Sequence, residues 1–149
     1  MKKILLCLLV LMMLCGCSGK KETAGDDSST GSKYLNVFKE NADKSLEDIA
    51  DKLIKVDDEM GLVAMPVEPG YLNGFSSEIT AFNFGEVVSP MIGSIPFIIY
   101  VFETDDVDGL KKEIESNKDM RWNICTEATD YVLDDAKGRV FFMMYSNEE

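Results

Sequence analysis

Ile95-Pro96-Phe97-Ile98-Ile99-Tyr100-Val101-Phe102 is apolar at every position. Its β-branched and aromatic residues, with a proline near the start, read as a central strand covered on both faces. Upstream, 78–88 reads as a second strand, in which Ile79, Phe82, Phe84, Val87 and Val88 alternate imperfectly, and 89–94 is a turn. Downstream, Val107, Leu110 and Ile114 mark one face of a helix over 105–117, with Asp105, Asp106 and Asp108 in its first turn, where the macrodipole favours acids. Strands follow over 122–133 and 140–145, joined by a turn at 134–138.

A first helix precedes these elements. Ser45-Leu46-Glu47-Asp48 resembles a capping box, and Leu46, Ile49, Ala50, Leu53 and Ile54 form one apolar stripe running to about Val56. The resulting order, α-β-β-α-β-β, predicts an α+β two-layer sandwich: a roughly four-stranded antiparallel sheet with two helices on one face. Between the first helix and the first strand lies 61–77, a long apolar connection with Pro66, Pro69, Gly70 and Gly74. It reads as a lid packed on the core, and Tyr71 and Phe75 are its candidate contact residues.

The chain opens with Lys2 and Lys3, an apolar run over 4–14, then Leu14-Cys15-Gly16-Cys17. The run is shorter than the roughly 20 residues a membrane-spanning helix needs. Gly16 supplies the small residue before the cysteine and Leu14 the aliphatic one three positions upstream, so the segment resembles a bacterial lipobox. That resemblance implies a signal peptide at 1–16, lipidation of Cys17, and anchoring by acyl chains to the extracytoplasmic face of the cell membrane. Residues 17–33 have no large apolar residue and read as the lipidated cysteine and a flexible tether, leaving 34–149 as one domain. Two stretches, 90–97 and 121–125, also resemble small bacterial lipoproteins that carry a domain of unknown function; that likeness implies no activity.

Composition narrows the chemistry. The chain has 27 acids against 15 bases, and loss of Lys2 and Lys3 takes its formal charge from −12 to −14. Such a charge disfavours nucleic acid and anionic lipid surfaces alike. Histidine is absent, which removes imidazole bases, His-based triads and most zinc sites. No catalytic constellation, cofactor motif or metal site is expected. Thr104–Glu115 partly matches a calcium loop, with Asp106, Asp108 and Gly109 at positions three, five and six, but a capped helix explains the same residues. Cys125, the remaining free thiol once Cys7 and Cys15 leave with the expected signal peptide and Cys17 is acylated, reads as a small core residue.

Arg121-Trp122 admits two readings. One is a stacked recognition point for a partner or ligand; the other is a Trp closing the edge of the core beside an Arg paired to a neighbouring acid. The composite expectation is a membrane-tethered, non-catalytic interaction module for an envelope protein, contacting it through Arg121, Trp122, Tyr71 and Phe75. The alternative is a small-ligand or cation-binding lipoprotein accessory to a transporter. A pocket favours the second reading and an exposed apolar patch the first.

Overall fold

The run over 95–102 delivers strand β3 (Ile98–Glu103), the middle of a five-stranded antiparallel sheet in the order β1-β2-β3-β5-β4. The computed structural model describes residues 29–147; the expected signal peptide at 1–16, Cys17 and most of the expected tether lie outside the described residues. The other strands are β1 (Leu62–Val67), β2 (Phe84–Pro90), β4 (Asp130–Ala136) and β5 (Arg139–Tyr145). Three helices accompany them: α1 (Thr30–Asn41), α2 (Leu46–Ile54) and α3 (Val107–Asn117).

The α+β class holds, but the layering differs from the expected two-layer sandwich. Along β3, Ile99 and Val101 join one apolar cluster while Ile98, Tyr100 and Phe102 join another. Strand β5 alternates in the same way, with Phe141 and Met143 on one side and Phe142 and Met144 on the other. Helices α1 and α2 cover the first face; α3, the 70–82 segment and Trp122 cover the second. Topology requires this. Strands β3 and β4 are both antiparallel to β5, hence parallel to each other, so α3 joins them as a crossover lying on a face. Adjacent carboxylates on β4 mark the two layers. Asp134 binds Lys39 of α1 at 2.7 Å, and Asp135 binds Lys111 of α3 at 2.7 Å.

Helix α1 begins at Thr30, inside the stretch read as tether. Ser29 caps it, its Oγ accepting from the Ser32 N–H at 3.2 Å. Tyr34 and Phe38, one turn apart, lie on the sheet, with ring centroids 5.2 Å from Phe97 and 5.2 Å from Phe141 respectively. Helix α2 is capped as its sequence predicts: the Asp48 N–H donates to Ser45 Oγ at 3.2 Å, and the hydroxyl donates to the Asp48 carboxylate at 2.8 Å.

Three further boundaries move. The front of the 61–77 connection is edge strand β1, paired with β2 from Leu62↔Pro90 to Val67↔Gly85. An edge is where a strand tolerates Pro66. The strand read over 78–88 starts only at Phe84, because Ile79 and Phe82 belong to a loop tied down by α3. There the Glu113 carboxylate accepts from the Thr80 and Ala81 N–H groups at 3.0 and 2.9 Å. The strand read over 122–133 starts at Asp130, and its turn is the pair Lys137-Gly138, with φ of 54° and 76°. Positive φ at both positions is the type I′ hairpin geometry, which matches strand twist.

Candidate functional site

At one end of the sheet, two loops meet over the start of β3. The 91–97 loop joins β2 to β3; the 119–128 loop follows α3. The second loop is closed at its base by the Ala128 N–H donating to the Met120 carbonyl at 2.9 Å, and by Arg121 Nε to Glu127 Oε1 at 2.6 Å. From it, the Asn123 amide donates to the Gly93 carbonyl at 2.8 Å, and Thr126 Oγ1 donates to the Ser94 carbonyl at 3.4 Å. The Asn123 side-chain oxygen accepts the Cys125 N–H at 3.0 Å, so one residue organises both loops.

These loops frame an open cleft of about 420 Å³. Phe97, Ile98 and Trp122 contribute apolar surface, and Asn73, Ser89 and Asn123 contribute polar groups. None of the lining residues carries a charge, in a chain that is 28% charged. The rim is exposed and apolar: Met91 is 76% exposed, Ile92 71% and Ile124 fully exposed. Exposed hydrocarbon grouped on two hydrogen-bonded loops is the kind of apolar patch that marks interaction sites in general. The cleft has the volume of a small-ligand site but is open to solvent.

The four expected contact residues are not brought together. Trp122 lines the cleft and packs at the edge of the second core cluster. Arg121 is spent on Glu127, and among the described residues the one cation–π pair is Lys118 over Tyr131, at 4.5 Å. Phe75 is partly buried against the second core cluster, with ring centroids 5.5 Å from Tyr100 and 5.2 Å from Phe142. Tyr71 is exposed but does not line the cleft. Cys125, read as a core residue, is instead exposed on the cleft wall. Sequence reading missed Met91, Ile92 and Ile124; the signal of Met91 and Ile92 was apolar residues inside a turn-forming stretch, where burial is not expected, and Ile124 gave none because 122–133 reads as a strand.

No protein-family model, curated protein or solved structure matches the chain. Function therefore rests on the geometry. The residues of the partial calcium match serve the helix: Asp106 Oδ1 accepts the Gly109 N–H at 2.9 Å as its N-cap, and Thr104 Oγ1 donates to the Ala81 carbonyl at 2.6 Å. Among the described residues, no group of three or more Cys, Asp or Glu side chains is placed to hold a metal ion.

The groups with perturbed pKa values, Tyr34, Glu86, Tyr100, Tyr131 and Asp134, lie outside the cleft lining. Burial, with a smaller contribution from Asp57, pushes the Tyr34 hydroxyl up to about 12. Burial, then the charges of Glu47 and Asp51, raises the Glu86 carboxyl above its ordinary value. At Asp134, burial acts upward but is outweighed by the Lys39 hydrogen bond, the Asp135 N–H and the charges of Lys39 and Lys111, so its carboxyl sits below the ordinary value. Each is explained by packing or pairing within the fold.

Proposed function

We propose that the chain is a lipid-anchored, non-catalytic interaction module on the extracytoplasmic face of the cell membrane, and that the uncharged cleft with its apolar rim receives an apolar segment of an envelope protein. The charge-free lining carries this reading. Centres of protein interfaces are depleted of charge and enriched in aromatic residues and Met, which describes Trp122, Phe97 and Met91. The anchor is supplied by Cys17, in its lipobox-like setting, and makes the encounter a two-dimensional one.

A second reading takes the same cleft as a small-ligand site accessory to a transporter. Its support is the cleft volume and the presence of Asn73, Ser89 and Asn123 among apolar walls. The rim favours the first reading, because Met91, Ile92 and Ile124 stand in solvent rather than folding over an enclosed space. The test is metabolic labelling of cells with a palmitate analogue. Label on the wild-type chain, absent from Cys17→Ser, and retention of the wild type in the membrane fraction are the expected results. Release of the wild type as an unlabelled soluble protein contradicts the anchored module.

A further inference from the structure

The described residues include eleven Lys and Arg side chains, five of which are ion-paired: Lys39, Lys111, Lys118, Arg121 and Arg139. In a chain with nearly two acids per base, a surface lysine has abundant partners. Yet Lys33, Lys44, Lys52 and Lys55 form no ion pair among the described residues, and all four line one shallow, open groove between α1 and α2. They come from α1, the α1–α2 turn, α2 and its C-cap. Glu40 is the single acid in the lining, and Val37 and Val56 give the groove an apolar part.

Helix ends account for part of this set. Lys52 and Lys55 lie at the C-terminal end of α2, and Lys44 lies just past the end of α1, its N–H donating to the Asn41 carbonyl at 2.9 Å; the macrodipole favours cations at both places. Lys33, in the first turn of α1, is placed where the macrodipole disfavours a cation. Four converging like charges repel one another and lower the potential energy of an anion placed among them. Lysine is suited to phosphate as a mobile point charge, and no planar guanidinium is present to select a carboxylate.

We infer that the α1–α2 groove binds a phosphate group, carried by a phospholipid headgroup or by a free phosphate compound. This site is separate from the cleft and does not depend on the partner reading. The lipid source alone rests on the anchored state, in which helix α1 begins 13 residues after Cys17. It also revises the expectation from net charge, which treats the whole surface as repelling anions.

The experiment uses the full chain and two variants: K33Q/K44Q/K52Q/K55Q, and K112Q/K137Q as a control for unpaired lysines outside the groove. One arm measures flotation with phosphatidylglycerol/phosphatidylcholine vesicles against pure phosphatidylcholine; the apolar segment over 4–14 and its flanking Lys2, Lys3, Lys20 and Lys21 are common to all three chains, so the difference in preference between the chains is the readout. The other arm measures the rise in thermal midpoint with inorganic pyrophosphate. Circular dichroism establishes that each variant is folded. A lipid preference that falls roughly tenfold or more in the groove variant, and not in the control, assigns a headgroup. Pyrophosphate stabilisation lost in the same way, without a lipid preference, assigns a free phosphate compound. No response in the wild type, a response that the groove variant keeps, or equal loss in both variants overturns the site.

Discussion

The side-chain amide of Asn123 donates to the main-chain carbonyl of Gly93, 2.8 Å away and thirty residues earlier in the chain. This bond fixes the 119–128 loop against the β2–β3 loop and so sets the width of the cleft. Asn123→Ala removes it, together with the brace on the Cys125 N–H. The expected loss is about 1 kcal/mol of stability, from neutral hydrogen bonds worth ~0.5–1.5 kcal/mol each. Hydrogen exchange should quicken selectively over 91–97 and 121–126, while β3 and β5 keep their protection; uniform quickening would mean that Asn123 supports the whole fold instead.

Gly31 tests whether the chain is folded from Thr30. A Cβ there meets the Tyr145 hydroxyl at 2.6 Å and Val132 Cγ2 at 2.7 Å. Gly→Ala in a free helix gains ~1 kcal/mol, whereas overpacking a tight contact costs about 1–3 kcal/mol. Gly31→Ala is therefore expected to lower stability by roughly 1 kcal/mol in urea titrations. Gly93→Ala, with open space around its Cβ, serves as the control and stays within about 0.5 kcal/mol.

Tyr34 is buried and, among the described residues, its hydroxyl has no hydrogen-bond partner. An unsatisfied buried hydroxyl costs ~1–3 kcal/mol, so Tyr34→Phe is expected to stabilise the fold by about 1 kcal/mol. The pH dependence follows from the raised pKa. The folded state holds the proton up to about 12 against an ordinary value of 10.0, so wild-type stability falls as pH rises through that window. The phenylalanine variant lacks that component of the fall.

Glu86 and Asp134 give opposite acid limbs. The Glu86 carboxyl is raised in the folded state, so the wild type loses stability as pH rises from the ordinary 4.5 through the folded value. Glu86→Gln should melt higher than wild type at pH 7, with the gap closing below pH about 4. The Asp134 carboxyl is lowered, so its contribution is complete above 3.8 and fades as pH falls through the folded value. Asp134→Asn should melt lower at pH 7 and converge with the wild type in acid. Thermal melts across pH read both.

Much of the fold was legible in local signals. The Ser45 cap, the Leu46–Ile54 stripe, the Asp106-capped helix and the all-apolar β3 each carry their own chemistry in sequence. The layering was legible too, since a strand apolar at every position needs cover on both faces, which two helices on one face do not supply. Helical structure from about Tyr34 was legible in Tyr34, Leu35, Val37 and Phe38, but the first turn of α1 hid because its buried residue, Gly31, has no side chain to signal burial. Strand β1 hid behind Pro66, acceptable only because the strand is an edge. For the site, Trp122 was legible as an edge aromatic. The cleft was not, because it is made by Asn123 reaching back thirty residues, a contact that leaves no local pattern.

The most direct test of the interaction module places a photo-reactive amino acid at position 124, the fully exposed tip of the cleft rim, in intact cells. A matched chain carries it at Lys112, outside the cleft. The account predicts a discrete cross-linked envelope protein from position 124, absent from position 112 and lost with Cys17→Ser. The same products from both positions, or an undiminished product without the anchor cysteine, would contradict it.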